Sequence, residues 1–436
     1  MKFVNREKEL NLLARVGQAS LIRSKMTILA GRRRIGKTRL IVESQKESRC
    51  LYFFVARKEE RLLCEEFVGL MREVLGMNIF GEIHKFKDVF ALLMDFAERG
   101  AITLVIDEFQ EFFRINPAIY SEMQDIWDRK KEHTRMHLIL CGSIFSMMKK
   151  IFEDSREPLF GRADERLYVK PFSVETLQST LLEYAPNHTA EDLLRLYMLT
   201  GGVPKYVELL VDRMAFSADA MLDEVLRENS LFLDEGKNVL IEEFGKEYAT
   251  YFSILSLLAS SKTSRGEIES VLQKDVGGYL ARLENEYQVI KKVIPILAKP
   301  GTRSIKYEIE DNFLHFWFRF IYKNKATVEI GNFTYLRKLI ERDGLTYSGR
   351  FLEKYFREKL ALSGEWSEVG TYWESGFSNE IDIVAINRLE RKVLFAEVKR
   401  NPSQYSKAAL EQKTYQLQRT FAGFDLMYRG FSMADM

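Results

Sequence analysis

Short apolar runs alternate with longer amphipathic segments over the amino-terminal part of the chain, from Met26 to about Phe172. The runs have the length and β-branched content of buried strands, whereas segments such as 59–75 and 86–98 carry apolar residues at helical spacing. Strands that alternate with helices form a parallel sheet covered by helices. The pattern therefore predicts an α/β domain over residues 1–172. Its strands are expected in the runs MTILA, LYFFVA, ITLVI, HLILC and RLYVKPF.

The apolar runs then stop, and amphipathic stretches interrupted by a GGVP sequence follow one another over residues 173–244. A succession of helices without strands predicts a helical lid. Residues 245–310 contain three helix-like pieces and then two β-like runs, VIKKVIPIL and SIKYEIE, which KPGTR separates. This order predicts a winged helix-turn-helix with KPGTR as the turn of the wing.

Residues 311–436 return to a mixed pattern. An aromatic-rich stretch, DNFLHFWFRFIY, comes first, and a helix, the strands EIDIVAI and KVLFAEVK, and a polar helix follow. The aromatic rings recur on an apolar face, so we expect them in a core, with His315 as a core histidine rather than a ligand. The four segments together predict a multidomain α/β protein.

The charge balance limits what the surface can bind. Lys and Arg total 65 against 63 for Asp and Glu, so the net charge of +2 gives no overall attraction to nucleic acid or to an anionic membrane. The three cysteines are too few and too scattered for a disulfide framework or a zinc knuckle. The charged start, MKFVNREKEL, and the longest apolar stretch, 248–260, match neither a signal peptide nor a membrane span. We therefore expect a cytoplasmic protein without a membrane partner.

The segment from Gly31 to Thr38 matches the phosphate-binding pattern G-x-x-x-x-G-K-[ST] in full. It follows a predicted strand and opens a predicted helix, where backbone N–H groups can wrap a phosphate. Lys37 would neutralise the β- and γ-phosphates, and Thr38 would ligate Mg²⁺. The flanking elements disfavour the alternative, a chance glycine loop. The expected nucleotide contacts are Gly31, Arg32, Arg33, Arg34, Ile35, Gly36, Lys37 and Thr38.

Two acids, Asp107 and Glu108, end the apolar run in ITLVIDEFQEF. Magnesium chemistry on a nucleotide needs carboxylates at the carboxyl end of a strand in the same sheet. Asp107 would hold the Mg²⁺ shell, and Glu108 would orient and deprotonate the attacking water. A solvated strand end would be the better interpretation of an isolated acid pair, but the upstream loop favours the magnesium site.

Three later positions are candidates for the same site. Ser143, after the run HLILC, would sense the γ-phosphate. Arg162, just before the next strand, would reach the γ-phosphate of its own or a neighbouring subunit, with Arg156 and Arg166 as competitors and a surface ion pair as the alternative. Pro204, in GGVP, opens a lid helix that would pack against the adenine or simply begin a helix.

The segments FVNREKEL, GRRRIGKT, ITLVIDEFQEF, CGSIFSMM, PLFGR, GGVPKY and DNFLHFWFRF together resemble the archaeal-type AAA ATPases of the STAND branch of P-loop NTPases, over nearly the whole chain. The resemblance implies an ATPase core, a lid, a winged helix and a C-terminal domain that is similar to the PD-(D/E)xK nucleases. It implies the roles given above for Lys37, Thr38 and the acid pair, and a finger-like role for Arg162. Asn5 and Arg6 would lie near the base; Asn5 as a helix N-cap is the alternative.

Asp382 and Glu397-Val398-Lys399 lie on two apolar alternating runs joined by a charged turn. Adjacent antiparallel strands would bring the two carboxylates together around a Mg²⁺, with Lys399 positioning or deprotonating a water, which is the logic of PD-(D/E)xK nucleases. Glu353 would supply a third acid and Gln412 a polar contact. An ordinary β-hairpin with solvated charges, or a degenerate nuclease that only binds, is the alternative.

The charge of the tail gives weak support for nucleic acid. Between Arg388 and Arg419 there are eight basic residues and three acids, a local balance of 8 − 3 = +5. The predicted recognition helix, GGYLARLENEYQ, carries acids that repel phosphate, and a winged helix that packs on protein is the alternative to one that binds DNA. The basic residues of the wing are Lys291, Lys292, Lys299, Arg303 and Lys306.

These features predict a Mg²⁺-dependent ATPase coupled to a C-terminal domain that binds or cleaves DNA. The alternative is a nucleotide-gated regulatory or scaffold switch whose C-terminal domain binds protein or DNA without cleavage; a stand-alone chaperone-like ATPase is a third. ATP or ADP, Mg²⁺ and DNA are the expected ligands, and a nucleotide-dependent homo-oligomer is the expected assembly.

Overall fold

The computed structural model describes residues 1–46, 49–245, 248–374 and 379–436. Within these ranges the chain forms two compact units, residues 2–170 and residues 171–436, and the second also includes Met1. Each unit has a β-sheet with its own hydrophobic core. In the described ranges, no helix combines the length and the apolar composition needed to cross a bilayer.

Residues 2–170 confirm the predicted parallel sheet. The strands are β1 (Lys25–Ala30), β2 (Cys50–Phe54), β3 (Ile102–Asp107), β4 (Met136–Gly142) and β5 (Glu165–Tyr168). In the described part of this unit they form one five-stranded sheet of order β2-β3-β4-β1-β5, and every pair is parallel. Because β4 lies between β1 and β3, the carboxyl ends of these three strands meet at one edge of the sheet.

Helices cover both faces of this sheet because successive strand residues point to opposite sides. Leu29, Val105 and Ile139 pack with the first two helices, whereas Ile28 and Leu104 pack with the large cluster on the other face. Fully burying side chains of this size stabilises a fold by about 1.5–3 kcal/mol each. The helices are α1 (Glu7–Ser20), α2 (Lys37–Ser44), α3 (Glu60–Leu75), α4 (Phe86–Arg99), α5 (Phe112–Ile115), α6 (Ala118–Lys130) and α7 (Phe145–Glu153), and a 3₁₀ turn covers Phe109–Glu111.

The second unit begins with helices whose starts are fixed by polar caps. Ser173 caps the first of them, and Thr189 and Ser264 form capping boxes with Asp192 and Glu267. The helices are α8 (Val174–Tyr184), α9 (Ala190–Thr200), α10 (Pro204–Asp212), α11 (Ala218–Leu226), α12 (Leu231–Phe244), α13 (Tyr248–Ala259), α14 (Arg265–Leu272) and α15 (Gly277–Asn285).

Two short antiparallel strands, β6 (Ile290–Val293) and β7 (Lys306–Ile309), follow α15. The first is shorter than the predicted run VIKKVIPIL, because Pro295 has no N–H to donate to a ladder. The next residue, Ile296, instead donates its N–H to the carbonyl of Thr371 at 2.8 Å. The connection between the strands therefore packs on the carboxy-terminal sheet, and KPGTR is only a part of it.

The aromatic-rich stretch forms the predicted core. It contains α16 (Asn312–Phe316), a π-helical turn (Trp317–Ile321) and a 3₁₀ turn (Tyr322–Asn324), followed by α17 (Lys325–Glu329) and the long α18 (Phe333–Leu362). His315 is buried; its Nδ1 contacts the hydroxyl of Tyr347 at 2.9 Å, and its Nε2 contacts Arg350. Burial lowers the pKa of His315 well below its usual value, so the ring is a neutral core residue.

The last part of the chain forms a mixed sheet. Its strands are β8 (Glu368–Tyr372), β9 (Ile381–Asn387), β10 (Lys392–Val398) and β11 (Asp425–Phe431). In the described residues their order is β11-β10-β9-β8; β9 pairs antiparallel with both neighbours, and β10 pairs parallel with β11. Two short helices, α19 (Lys407–Lys413) and α20 (Tyr415–Thr420), pack on the sheet through Leu410 and Leu417. The predicted antiparallel pair that carries Asp382 and Glu397 is therefore present.

Candidate functional site

The loop from Gly31 to Thr38 joins β1 to α2, as the motif requires. Gly36 has φ 87° and stands at the N-cap of α2, a conformation that a residue with a side chain rarely adopts. A Cβ on Gly31 would lie 2.9 Å from the carbonyl oxygen of Val169, so the backbone at this end of the loop also needs glycine. These two positions fold the loop tightly over the helix N-terminus, where partial positive charge attracts phosphate.

Lys37 is buried at the centre of this loop. Its Nζ donates to the carbonyls of Gly31 at 2.7 Å and Arg32 at 3.0 Å. Burial lowers the pKa of Lys37 below its usual value, while the nearby Cys141 and the acids Glu108 and Asp107 oppose that effect. The lysine is therefore held by loop carbonyls rather than by a carboxylate.

Thr38 and Asp107 come together across the carboxyl edge of the sheet. The Oγ1 hydroxyl of Thr38 donates to Oδ2 of Asp107 at 3.3 Å. The same carboxylate oxygen accepts from the hydroxyl of Tyr52, and burial and Asp107 raise the pKa of that phenol. Sequence reasoning missed Tyr52, although its strand β2 pairs with β3, which ends at Asp107. Hydroxyl and carboxylate oxygens are the ligands that Mg²⁺ prefers, so these residues fit that ion.

Glu108 and Ser143 are also neighbours. Glu108 has φ 54°, and its Oε2 accepts from the Oγ of Ser143 at 2.8 Å. The Nε2 of Gln110 donates to the same oxygen. Sequence reasoning missed Gln110, a buried polar residue two positions after Glu108. The structure therefore gathers Lys37, Thr38, Asp107, Glu108 and Ser143 at one edge of the sheet.

The three candidate arginines all contact protein groups. Arg162 donates from Nε and Nη2 to Asp128 Oδ2 at 3.0 and 2.9 Å, and from Nη1 to the carbonyl of Phe160. Arg156 pairs with Asp154, and Arg166 donates to the carbonyl of Phe152. A role for Arg162 as a finger stays a prediction, and it would require release from Asp128.

Asn5 and Arg6 lie just before α1. Arg6 is buried, and its Nη2 donates to the carbonyl of Ile35 at 3.4 Å and to that of Lys170 at 2.8 Å. Arg6 itself occupies the N-cap position of α1, so the alternative of Asn5 as the N-cap is wrong; Asn5 has φ 51°. Arg6 thus supports the backbone of the phosphate-binding loop, and a contact with the base stays a prediction.

The GGVP sequence opens α10 as predicted, with Pro204 at the first helical position. Gly202 has φ 75°, and a Cβ there would lie 2.2 Å from the carbonyl oxygen of Phe172. The N–H of Phe172 donates to the carbonyl of Gly202 at 2.7 Å. The glycine therefore allows two backbone segments to approach closely, and contact with adenine stays a prediction for Pro204.

The C-terminal carboxylates converge on β9 and β10. Lys399 Nζ lies 3.7 Å from Asp382 Oδ2 and 3.7 Å from Glu397 Oε2, so it bridges the two acids. The N–H of Val398 donates to Asp382 Oδ2 at 2.8 Å. Burial raises the pKa of Asp382, and the Val398 N–H and Lys399 oppose that effect.

Two neighbours complete this second site. Glu353, on α18, has its pKa raised to about 7, because partial burial and the nearby Asp382 disfavour its charged form, while Arg357 opposes that effect. Lys413, the last residue of α19, forms an ion pair with Glu397 Oε1. Gln412, the predicted polar contact, is exposed, and the contact to the acids comes from Lys413 instead.

Metal ligation differs between the predicted and the observed arrangement. Among the side chains that the structure describes, no group of three or more His, Cys, Asp or Glu residues is placed to hold a metal ion. In the C-terminal site two carboxylates are instead neutralised by Lys399 and Lys413. Asp382 and Glu397 fit a divalent cation by their chemistry, but the ammonium groups of Lys399 and Lys413 lie against three of their four carboxylate oxygens.

The parallel sheet, the loop that opens α2 and the acid pair at the end of β3 define a P-loop nucleoside triphosphatase. Residues 3–210 match the model of an ATPase domain that comes predominantly from Archaea. Residues 317–410 match a second family, of archaeal and bacterial proteins of unknown function. The protein therefore carries an ATP-binding ATPase domain followed by a domain whose relatives have no assigned role.

One relative is similar over nearly the whole chain, and two solved structures are similar over about three quarters of it. An uncharacterized protein of Methanocaldococcus jannaschii is 29% identical over 407 residues, which are 91% of this chain and 87% of that protein. The Walker-type ATPase PABY2304 of Pyrococcus abyssi is 19% identical, with a TM-score of 0.56 over 73% of this chain and 96% of its own. The ORC2 protein of Aeropyrum pernix, solved in ADPNP and ADP complexes, is 14% identical, with a TM-score of 0.51 over 76% and 96%. The two solved structures share the fold.

Proposed function

We propose that this protein is a Mg²⁺-dependent ATPase whose nucleotide cycle controls a C-terminal domain that acts on DNA. The observation that carries the first half is the 3.3 Å contact between the Thr38 hydroxyl and Asp107. A hydroxyl at the start of α2 and a carboxylate at the end of β3 are the two protein groups that a nucleotide-bound Mg²⁺ needs. Bound Mg²⁺ would neutralise charge that develops on the phosphates.

Each residue of the site then has one task. Lys37 leaves the carbonyls of Gly31 and Arg32 and donates to the β- and γ-phosphates, which replace those acceptors. Glu108 accepts a proton from the attacking water. The hydroxyl of Ser143, which donates to Glu108 without nucleotide, would turn away from it and donate to the γ-phosphate. Tyr52 holds the carboxylate of Asp107 in place.

Two substitutions test these roles in the ATPase domain. Lys37→Ala is expected to abolish ATP binding in isothermal titration, and Glu108→Gln is expected to bind ATP without hydrolysing it. Equal hydrolysis by Glu108→Gln and the unsubstituted protein would remove the assignment of Glu108 as the base. Lys46→Ala, on the exposed residue after α2, is the matched control for the loss of a lysine.

The proposal for the C-terminal domain rests on Asp382, Glu397 and Lys399. Two carboxylates that one ammonium bridges at 3.7 Å are close enough to share a divalent cation, and Lys399 would then hold a water or a phosphate oxygen. Glu353, with its raised pKa, is suited to hold a proton near neutral pH. Metal binding at Glu397 requires Lys413 to move away from this acid.

The second candidate, a nucleotide-gated switch that binds without cleaving, is favoured by how the basic residues are used. Lys291 pairs with Glu308, and Lys306 pairs with Glu380 and lies over the ring of Trp373. Paired lysines attract a phosphate backbone less than free ones do. The ion pairs of the tail include Arg388–Glu368, Lys392–Glu390, Lys399–Asp382, Lys399–Glu397, Arg400–Glu191, Lys407–Glu411 and Lys413–Glu397.

Cleavage assays distinguish the two candidates. The full-length protein is incubated with Mg²⁺ or Mn²⁺, with and without ATP, and with plasmid or branched DNA. A nuclease predicts cutting that disappears in Asp382→Ala and Lys399→Ala but persists in Lys407→Ala, whose exposed side chain pairs with Glu411 on its own helix. No cutting under any of these conditions would remove the nuclease claim, and a nucleotide-dependent change in oligomer size would then favour the switch.

A further inference from the structure

Gln110 is fully buried two residues after Glu108. Its Nε2 donates to Glu108 Oε2, the same oxygen that accepts from Ser143 Oγ at 2.8 Å. Both donors thus contact one carboxylate oxygen, and neither contacts Oε1 of the glutamate. The carboxylate is therefore fixed on one side, and its other oxygen is left to meet a water.

The backbone that carries Gln110 is also fixed. The hydroxyl of Tyr120 donates to the carbonyls of Phe109 at 3.4 Å and Gln110 at 3.3 Å. The 3₁₀ turn Phe109–Glu111 begins directly after Glu108, whose φ of 54° reverses the chain at the end of β3. This turn brings the amide of Gln110 back to the glutamate from which the chain has just departed.

The other end of the Gln110 amide is unusual. Its Oε1 atom is buried and has no hydrogen-bond partner among the described residues. A buried polar atom without a partner destabilises the folded state, so its position calls for a compensating role. A Cβ on Gly142 would lie 2.5 Å from this oxygen and 2.3 Å from Met148 Sδ, so any larger residue at the end of β4 would displace the amide.

We propose that Gln110 is a positioning residue for ATP hydrolysis: its amide holds one oxygen of Glu108, so that the other oxygen faces the attacking water. Gly142 has its place in the CGS sequence because it makes room for this amide. The proposal rests on the assignment of Glu108 as the base. It explains why the fold leaves an amide oxygen unpaired, since turning the amide would point that oxygen at the carboxylate.

The test compares Gln110→Met, which keeps the volume and removes the amide, with Gln110→Glu, which keeps the shape and adds a second carboxyl group. For Gln110→Met we expect ATP affinity within about twofold of the unsubstituted protein and kcat reduced about 10- to 100-fold, a part of the usual effect of a general base. The acid limb of the kcat profile should move to higher pH, because a hydrogen bond to the charged carboxylate is lost. In Gln110→Glu the limb should move further, since two carboxyls share the site.

Gln18→Met, on the exposed face of α1, is the control for a glutamine-to-methionine change. An unchanged kcat in both Gln110 variants would overturn the proposal, and so would a reduced kcat whose acid limb stays in place. If Gln110→Met does not fold, the position of the acid limb in the kcat profile of Gln110→Glu decides whether the proposal holds. Glu108→Gln is measured in parallel: if it hydrolyses ATP normally, the base assignment itself fails, whereas an inactive Glu108→Gln beside a normal Gln110→Met removes only the role of Gln110.

Discussion

The chain carries two pairs of acids at strand ends, and their surroundings differ. Asp107 and Glu108 receive hydrogen bonds from neutral donors, the hydroxyls of Thr38, Tyr52 and Ser143 and the amide of Gln110. Asp382 and Glu397 are met by the ammonium groups of Lys399 and Lys413. Neutral donors orient a carboxylate and leave its charge uncompensated, whereas an ammonium group also cancels the charge.

The two acid pairs therefore differ in how readily they can accept a cation. The first pair keeps its negative charge available, because Lys37 is held by the loop carbonyls of Gly31 and Arg32. The second pair has its charge compensated by the protein itself. A cation entering the C-terminal site must therefore compete with a lysine, and a cation entering the nucleotide site need not.

We expect the greatest loss of activity from a substitution at the nucleotide site. Glu108→Gln removes the base but keeps a side chain that can bond to Ser143 and Gln110, so we expect kcat to fall by about 10²- to 10⁴-fold with little change in ATP affinity. Single-turnover hydrolysis and isothermal titration measure the two quantities. Asp382→Asn is the paired control, because the C-terminal acids should have no part in this step. A loss of ATP affinity equal to the loss of rate would contradict the separation of binding from catalysis.

A smaller effect, on the affinity for Mn²⁺, is expected at the C-terminal site. Lys413→Gln removes the competing ammonium from Glu397, so we expect Mn²⁺ to bind about 5- to 10-fold more tightly, equivalent to roughly 1 kcal/mol of relieved repulsion. Titration without nucleotide measures the affinity. Lys407→Gln, on the same helix, should leave it unchanged, and Asp382→Asn should weaken it. Equal Mn²⁺ affinity in Lys413→Gln and the unsubstituted protein would mean that Lys413 does not guard the site.

A pH measurement tests the buried acid beside that site. Glu353 has a folded pKa of about 7 against an ordinary value of 4.5, so the folded state holds a proton that the unfolded state releases between these values. Stability should therefore fall as pH rises from about 4.5 to about 7 and then level off. About a third of the side chain is exposed, so we expect a change of the order of 1 kcal/mol. Urea titrations should show a smaller decline for Glu353→Gln, and an identical decline would contradict the assignment.

The nucleotide site could be predicted from sequence because its residues lie in one contiguous loop and at the ends of strands in one sheet. Gly31 to Thr38 and Asp107 needed only the parallel topology to meet. Tyr52 was missed because it lies within a strand, two residues before the position that pairs with Asp107. A tyrosine is a common residue in a strand, so nothing in the sequence indicated a role in the site. Gln110 was missed because a polar residue after an acid pair reads as a solvated turn until its burial is known.

The C-terminal acids were predicted from the alternation of two neighbouring strands, which fixes which residues share a face. Gln412 was chosen instead of Lys413 because the position of a helix over a sheet depends on packing, and one residue along a helix turns a side chain by about 100°. The length of β6 was overestimated because the apolar pattern continues through Pro295, whereas the hydrogen-bond ladder with β7 does not, since proline has no N–H to donate. Its continuation contributes Ile296 and Leu297 to the carboxy-terminal core.

The weakest effect is expected for Lys306, the first residue of β7. Lys306→Ala removes an ion pair with Glu380 and a cation–π contact over Trp373, which should lower the free energy of unfolding by less than about 1 kcal/mol. Because Trp373 is buried and its Nε1 donates to Ser304, its fluorescence should respond to the substitution. Lys292→Ala, exposed on β6, serves as the comparison. If Lys306→Ala and the unsubstituted protein have identical spectra and stability, the contacts of Lys306 with Glu380 and Trp373 do not stabilise the fold.

The backbone hydrogen bond from Ile296 to Thr371 limits where the chain can be truncated without loss of folding. A carboxy-terminal fragment that starts at residue 311 would lack Ile296 and Leu297, which belong to its own interior, and would expose the ring of Trp373. Autonomous folding is therefore expected only for fragments that keep the whole second unit, from residue 171 onward. Truncation experiments designed on the helix-and-strand pattern alone would divide the polypeptide through a shared core.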